Sequence, residues 1–304
     1  MSAIAIETHH LRKRFGARCA VEDLSLSVRQ GEVFGFLGPN GAGKTTSVKM
    51  LLGLIKPSGG HGLLLGAPLG DRRARARVGF LPEHFRFQDW LTGRELLELH
   101  GRLCGLGREE IQKRADWLLG RVDLLDSAAQ RIQEYSKGMM QRIGLAAALL
   151  AEPALVFLDE PTSGLDPLGR LMVRDVIREL RAGGASVFLN SHLLGEVEAT
   201  CDRVVFVRQG RVVHEHALAA RQDGVEVVLR ATGLDADSVA GLERFGRLLH
   251  HDETTYRLRV IGEDALPAIA SWVVERGGRL QHLSATRDTL EELFVRVMAG
   301  ERVG

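Results

Sequence analysis

The stretch GPNGAGKTT, residues 38–46, constrains the fold of this chain more than any other feature. It lies between a short apolar run, EVFGFLG, and a segment with apolar residues at helical spacing, KTTSVKMLLGLI. This order predicts a strand, a tight turn and a helix, which together form an α/β unit. The stretch also matches the pattern G-x-x-x-x-G-K-[ST] of a phosphate-binding loop, or P-loop. Its glycines let successive N–H groups point inward, and the helix that follows adds its positive N-terminal end, so the loop is suited to phosphate oxygens.

Two other interpretations of the loop compete with phosphate binding. A dinucleotide-binding loop needs a third glycine, but Thr46 stands at that position after Gly41 and Gly43. A plain glycine turn is disfavoured by the strand before it and the helix after it. We therefore expect Lys44 to reach the β- and γ-phosphates and Thr45 to place its hydroxyl on Mg²⁺. The predicted phosphate-binding residues are Gly38, Pro39, Asn40, Gly41, Ala42, Gly43, Lys44, Thr45 and Thr46.

Two further apolar strands end in groups that suit phosphate chemistry. In ALVFLDE, Asp159 is predicted to hold Mg²⁺, and Glu160 to accept a proton from an attacking water. Alone, these acids would more simply cap a turn, but a P-loop in the same chain favours the catalytic interpretation. In ASVFLNSH, His192 follows the strand and is predicted to hydrogen-bond the γ-phosphate. The alternative for a single histidine is a structural role.

Composition limits the class of protein. The chain has 304 residues, of which 45% are hydrophobic and 26% charged, as in an ordinary globular protein. A net charge of +1 gives no sign of general attraction to nucleic acid or to a membrane surface. Three cysteines without a CxxC pair suggest a reducing compartment. The start of the chain lacks a signal-peptide pattern, and Glu152 and Pro153 interrupt the longest apolar stretch, so we expect no membrane-spanning segment.

The pattern along the chain predicts two domains. The first, residues 1–216, combines alternating strands near its start with apolar strands and helices, and includes a helical subdomain at about residues 88–150. Thr92 and Glu95 fit a capping box at the start of one helix there. The second domain, residues 217–304, reads as β-α-β-β-α-β followed by a helix, which is a small α+β module of ferredoxin-like order.

Taken together, these motifs resemble the ATP-binding subunits of ABC transporters. The segment SGLD, which ends at Asp166, looks like the family's D-loop, and NSH looks like its switch region. Phe15, in LRKRFG, stands where the family stacks an aromatic ring on adenine. The segment YSKGMMQR resembles the signature LSGGQ and precedes the acidic strand at the family's usual distance. The resemblance covers about residues 4–213.

Two positions depart from the family pattern. Lys137 replaces the first glycine of the signature, whereas Ser136 and Gly138 keep the expected residue types. Glu83 stands where the family usually has a glutamine that touches both Mg²⁺ or water and the membrane partner. A glutamate there resembles the branch that serves exporter-type permeases.

The resemblance implies a fold, an activity and partners. The fold would be a P-loop NTPase of ABC type, with a mixed sheet core, an antiparallel β subdomain and an α-helical subdomain. The activity would be ATP hydrolysis coupled to transport, with ATP and Mg²⁺ as cofactors and Thr45, Asp159 and Glu83 as metal contacts. Two subunits, identical or different, would pair head to tail, so that Ser136, Lys137 and Gly138 meet the nucleotide bound to the partner's Lys44. The resemblance also implies that Asp166 contacts the nucleotide.

The expected second partner is an integral membrane permease, which would place the chain in the cytoplasm, peripherally on the inner face of the cell membrane. Phe85, Phe87 and Trp90 are predicted to contact that permease or, alternatively, to pack inside the helical subdomain. A soluble ABC-type ATPase acting on nucleic acid or ribosomes is the alternative function. It is disfavoured because such relatives usually carry two ATPase domains or a long coiled coil, so no nucleic-acid partner is expected. A module without chemistry is disfavoured because Lys44 and the acidic and histidine residues above are present.

Overall fold

The computed structural model describes residues 3–218, 225–262, 264–286 and 289–300. Contacts divide the chain into two compact units, Met1–Leu218 and Ala219–Gly304. Within the range predicted for the second domain, residues 219–224, 263, 287–288 and 301–304 lie outside the described residues.

A sheet with the strand order β5-β4-β1-β2-β10-β9-β3-β8-β7-β6 runs through the first unit. Its strands are β1 (Ile4–Phe15), β2 (Arg18–Arg29), β3 (Val33–Leu37), β4 (Gly59–Leu64), β5 (Ala67–Pro68), β6 (Val78–Leu81), β7 (Leu155–Asp159), β8 (Ser186–Asn190), β9 (Arg203–Arg208) and β10 (Arg211–Ala217). Strands β5, β4, β1 and β2 pair antiparallel, whereas β9, β3, β8, β7 and β6 are parallel neighbours. The predicted mixed core and antiparallel subdomain are therefore confirmed.

The parallel strands form because their sequences are apolar on both faces. Every residue of β3, β7 and β8 is buried, as is typical of strands covered by helices on both sides of a sheet. The Phe188 ring lies 5.0–5.5 Å, centroid to centroid, from the rings of Phe34, Phe36 and Phe157. These aromatic contacts pack β3, β7 and β8, whose carboxyl ends carry the candidate site, against one another.

Seven α-helices are described in this unit: α1 (Lys44–Leu51), α2 (Arg72–Arg75), α3 (Gly93–Leu103), α4 (Arg108–Arg121), α5 (Lys137–Leu149), α6 (Pro167–Ala182) and α7 (Leu194–Thr200). Helices α3, α4 and α5 pack against one another and form the helical subdomain. Helix α3 begins with the predicted capping box, in which Thr92 Oγ1 accepts from the N–H of Glu95 and the Glu95 carboxylate accepts from the N–H of Thr92. None of the helices in the described part of the chain combines the length and the apolar character that crossing a bilayer requires.

The second unit has a separate antiparallel sheet with the order β12-β13-β11-β14. Each of its two helical connections joins strands that have another strand between them, which is the split β-α-β arrangement of a ferredoxin-like module. Its core includes Val227, Leu229, Leu258, Ile269 and Val273, all fully buried. The elements follow the predicted order: β11 (Val225–Thr232), α8 (Ala236–Ala240), β12 (Gly246–His251), β13 (Thr255–Val260), α9 (Ala265–Glu275), β14 (Arg279–Thr286) and α10 (Leu290–Ala299).

Candidate functional site

The phosphate-loop sequence connects β3 to α1 in a path that only glycine allows at two positions. A Cβ atom at Gly38 would lie 2.3 Å from the carbonyl oxygen of Val207, so the loop passes directly against β9. Gly43 has φ of 96° and precedes the first residue of α1, and a Cβ atom there would lie 2.4 Å from the carbonyl oxygen of Ala20. The first-turn N–H groups of α1 have no intrahelical acceptors and remain available for a ligand.

Lys44 is the first residue of α1, and its side chain reaches back to the start of the loop. Its Nζ donates to the carbonyl oxygens of Gly38, at 2.6 Å, and Pro39, at 3.2 Å. Burial lowers the pKa of Lys44, while the nearby carboxylates of Glu160, Asp159 and Glu83 oppose that shift. One ammonium group therefore lies within the electrostatic range of three carboxylates, two from the end of β7 and one from the segment after β6.

Asp159 and Asn190 are partners at the carboxyl ends of neighbouring parallel strands. They occupy paired positions in the β7–β8 register, and Asn190 Nδ2 donates a hydrogen bond to Asp159 Oδ1. Asp159 is buried, and this burial raises the pKa of its carboxyl group. The hydrogen bond from Asn190 opposes the rise, and the carboxylates of Glu83 and Glu160 add to it.

Glu160 is held by several contacts in an uncommon backbone conformation, with φ of 52°. Its N–H donates to the carbonyl oxygen of Asn190 at 2.8 Å. Its carboxylate accepts from the N–H of His192 at 2.9 Å and from the hydroxyl of Ser191 at 3.4 Å. The His192 ring atom Nδ1 lies 2.7 Å from Glu160 Oε2. The predicted base and the predicted histidine are therefore in direct contact.

These groups surround a cleft of about 780 Å³. The sequence-predicted residues that line it are Asn40, Gly41, Gly43, Lys44, Thr45, Thr46, Glu83, Glu160 and His192. Asn190, Arg18, Cys19 and Gln209 also line the cleft. The fold thus brings the P-loop, the end of the acidic strand, the switch histidine and Glu83 around one space.

The donors at and beside this cleft fit Mg²⁺, although Asp159 does not itself line the cleft. The hydroxyl of Thr45 and the carboxylates of Asp159 and Glu83 are hard oxygen donors, which Mg²⁺ prefers. The described residues contain no cluster of three histidine, cysteine or acidic side chains that could cage a metal by themselves. Such a site suits an ion that takes most of its ligands from phosphate oxygens and water, as Mg²⁺ does in nucleotide-binding proteins.

The signature residues lie on a different surface. Ser136 is the N-cap of α5, and its Oγ accepts from the N–H of Met139 at 3.2 Å. Ser136 and Lys137 are exposed. The aliphatic part of Lys137 packs against Gly164 of the SGLD segment, and Gly138 lies beside the carbonyl oxygen of the same glycine. None of these residues lines the cleft.

The other predicted nucleotide contacts outside the cleft lining are Phe15, Gly38, Pro39, Ala42 and Asp166. Asp166 is the N-cap of α6, where its Oδ1 accepts from the N–H of Gly169 at 2.8 Å. Phe15, at the end of β1, is half exposed, and Lys13 Nζ lies 5.0 Å from the centre of its ring. Pro39 is exposed, whereas Ala42 is buried beneath the loop, where its carbonyl oxygen accepts from the N–H of Gly210.

Three residues that hydrogen-bond Asp159 or Glu160 have no individual role in the sequence-based prediction. Asn190 and Ser191 enter it only as part of the NSH segment, although a polar residue ending each of two buried strands is a usable signal. Gln141 has no predicted role. It is buried on α5, and its Nε2 donates to the carbonyl oxygen of Glu160 at 3.0 Å. A polar residue in line with buried Leu145 and Leu149 on one helix face could have drawn attention to it.

Burial of Asp159 leads to a prediction about stability. We expect Asp159→Asn to be more stable than the wild type at neutral pH, because the wild type holds a buried carboxylate whose pKa is raised. Between the unfolded and the raised folded pKa, the folded protein binds more protons, so wild-type stability falls as pH rises through that window. The difference in free energy of unfolding between the two proteins should therefore widen with rising pH.

Urea unfolding at several pH values measures this difference, with exposed Asp126→Asn as the matched control. A variant that is less stable than the wild type at every pH would show instead that the Asn190 hydrogen bond outweighs the cost of burial.

Comparison with known proteins agrees with this geometry. The family described as ABC transporter matches residues 21–163. An uncharacterised ABC transporter ATP-binding protein of Synechocystis sp. is 42% identical, over 91% of this chain and 78% of that protein. A daunorubicin resistance ATP-binding protein of Streptomyces coeruleorubidus is 38% identical, over 99% and 98%. A Nod factor export ATP-binding protein of Rhizobium sp. is 39% identical, over 75% and 77%.

Solved structures agree in the same way. The structure of an ATP-binding subunit of an ABC transporter is 32% identical, with a TM-score of 0.67, over 72% of this chain and 92% of that one. A dimeric ATP-binding cassette in a post-hydrolysis state, bound to ADP and Pi, is 25% identical, with a TM-score of 0.65, over 70% and 98%. The predicted fold and ATPase class are confirmed, and the chain belongs to the ABC transporter family as an ATP-binding subunit that hydrolyses ATP.

Proposed function

We propose that this chain hydrolyses MgATP to drive a separate membrane permease in the direction of export. The observation that carries the proposal is the cleft in which Lys44, Glu83 and Glu160 lie with the P-loop and His192. The family match supports this function over action on nucleic acid or ribosomes.

The P-loop N–H groups and Lys44 bind the β- and γ-phosphates in this proposal. Thr45, Asp159 and Glu83 would hold Mg²⁺, which would neutralise charge on the phosphate oxygens when bound. A water oxygen attacks the γ-phosphorus, the bond to the oxygen bridging the β- and γ-phosphates breaks, and the water gives its proton to Glu160. His192, in contact with the Glu160 carboxylate, keeps this carboxylate oriented and faces the γ-phosphate.

We infer that two copies, or this chain and a similar subunit, form composite sites head to tail. Ser136, Lys137 and Gly138 form an exposed helix start that is separate from the cleft of the same chain, which suits contact with a second subunit's nucleotide. The positive end of α5 and the charge of Lys137 both favour an anion there. Asp166 caps the neighbouring helix and belongs to the same contact surface through Arg142, whose Nη2 lies 3.8 Å from its Oδ1.

Phe15 is proposed to stack on adenine. Its ring is half exposed at the end of β1. Removal of Lys13 from the ring face would open it to the base.

The proposed permease contact is a groove of about 460 Å³ that is lined mainly by apolar side chains. Phe85 and Phe87 lie in it with their rings 5.0 Å apart, and Phe85 packs closely against Gly144 of α5. Leu103, at the end of α3, also lines the groove but remains 77% exposed. Trp90 is 70% exposed. Of the three aromatic residues, Phe85 and Phe87 therefore lie in the groove, whereas the ring of Trp90 is exposed. Glu83 is close in sequence to the residues of this groove, and it lines the ATP cleft. This position supports the transmission of conformational change between the ATP cleft and the groove.

Export is supported by the relatives, which include a daunorubicin resistance protein and a Nod factor export protein. The permease would hold the chain peripherally on the inner, cytoplasmic face of the cell membrane. We also propose that the domain boundary lies near residue 217. The C-terminal module would have an accessory or regulatory role.

Leu103→Glu tests the permease contact. We expect the variant to keep the ATPase rate of the isolated chain, because Leu103 is exposed and does not line the ATP cleft, but to lose co-purification with a polytopic protein from detergent-solubilised membranes. Leu125→Glu makes the same change at another exposed leucine of the helical subdomain outside the groove and should co-purify normally. Equal recovery of the partner with both variants would place the contact elsewhere. If no polytopic protein accompanies the wild-type chain, the permease proposal fails.

A further inference from the structure

Gln141 connects the signature helix to the backbone of the predicted base. It lies in the second turn of α5, the helix that begins at the signature serine, and only 5% of its surface is exposed. Its side-chain amide is 3.0 Å from the carbonyl oxygen of Glu160. Because a carbonyl oxygen only accepts hydrogen bonds, the amide must present its NH₂ group to it.

The same carbonyl oxygen accepts from the N–H of Ser163, at 3.1 Å, which begins the SGLD segment. The N–H of Glu160 is held by Asn190 at 2.8 Å. Glu160 keeps its left-handed φ of 52° between these contacts. A non-glycine residue persists in this region only where its surroundings hold it there, and a buried hydrogen bond is a means of doing so.

We propose that Gln141 is a positioning residue for catalysis. It fixes the backbone of Glu160 and thereby couples the orientation of the Glu160 carboxylate to the position of the signature helix, α5. This inference rests on the proposed function, in which Glu160 is the base and Ser136 contacts the nucleotide bound by the second subunit. The signature then does more than bind the other subunit's ATP. A shift of α5 on contact with that ATP moves the group that holds the base of its own chain's site.

The role of Gln141 depends on a single hydrogen-bond donor, its side-chain NH₂ group. Methionine at position 141 has nearly the same length as glutamine but cannot donate, so Gln141→Met leaves the Glu160 carbonyl with Ser163 alone. Glutamate at the same position can donate only while its carboxyl group is protonated. Gln112→Met, at an exposed position of α4, is the matched control for the change of residue type.

The experiment uses the full chain. We expect Gln141→Met to lower kcat about tenfold or more, with the KM for ATP within about twofold of wild type. ATP-dependent dimerisation, measured in the Glu160→Gln background, should be unchanged, because the signature contacts remain. For Gln141→Glu, kcat relative to wild type should rise as pH falls from about 8 to about 6, as the neutral acid becomes able to donate.

A wild-type kcat in Gln141→Met overturns the inference, as does an equal loss in Gln112→Met or a loss confined to KM or dimerisation. If Gln141→Met does not fold, the pH dependence of Gln141→Glu decides: a constant ratio to wild type overturns the inference. Failure of the proposed function is recognised separately, since Glu160→Gln would then hydrolyse ATP at the wild-type rate whatever Gln141 does.

Discussion

Glu160→Gln should bind ATP with near wild-type affinity and hydrolyse it about a thousandfold more slowly, because a glutamine cannot accept the proton of the attacking water. The substitution suits the local structure. The side-chain oxygen of glutamine can still accept from the N–H of His192, now 2.9 Å from the carboxylate, and its NH₂ group can donate to the hydroxyl of Ser191. The loss should therefore appear in kcat and not in the KM for ATP.

Blocked hydrolysis has a second expected consequence. Since ATP is proposed to lie between two subunits, the variant should accumulate as an ATP-bound dimer, visible by size-exclusion chromatography with ATP and absent with ADP. Phosphate release and nucleotide titration give the other two measurements. Glu109→Gln, an exposed position at the start of α4, makes the same chemical change away from the site and should behave as wild type. A wild-type rate of phosphate release in Glu160→Gln would show that another group takes the proton.

The parts of the site that local sequence determines could be predicted. The P-loop is specified within nine consecutive residues, because the close approach of Gly38 to β9 and the positive φ of Gly43 both require glycine. The acidic strand and the strand before His192 are recognisable because parallel strands buried on both faces are continuous apolar runs. The element order of the second unit followed from alternating strands and amphipathic helices, whereas its strand order depends on pairing between distant segments.

Contacts between segments could not be predicted in the same way. The pairing of Asp159 with Asn190 depends on which strands are neighbours and on their register. The Gln141–Glu160 hydrogen bond joins positions 19 residues apart and depends on how α5 packs against the end of β7. The positive φ of Glu160 has no sequence signal, since glycine or asparagine would be expected in that conformation. Burial of polar groups is a property of the folded chain. The contacts that hold Glu160, the proposed base, therefore could not be predicted from the sequence.

The head-to-tail arrangement itself can be tested by mixing two inactive variants. Lys44→Ala should lose nucleotide affinity and turnover, because it removes the ammonium group that is proposed to bind the β- and γ-phosphates and that lies near Glu83, Asp159 and Glu160. Gly138→Asp should lose turnover for another reason. A Cβ atom at Gly138 meets its nearest neighbours at 3.5 Å and 3.6 Å, which is ordinary contact, so the variant should fold. Its carboxylate, however, would repel the phosphates of the second subunit's nucleotide.

In a mixed dimer of these variants, one site receives both defects and the other receives neither, because the intact P-loop of the Gly138→Asp subunit meets the intact signature of the Lys44→Ala subunit. Random pairing makes half of the dimers mixed, so an equal mixture should recover roughly a quarter of the wild-type rate if the two sites act independently. Recovery below that value would mean that one complete site is hampered by a defective neighbour, as expected if the signature helix also positions its own subunit's base. Subunit exchange must be verified by co-precipitation of differently tagged variants. With exchange verified, a mixture as inactive as either variant alone would mean that each chain builds its site from its own P-loop and signature, and the second surface formed by Ser136 and Gly138 would need another ligand.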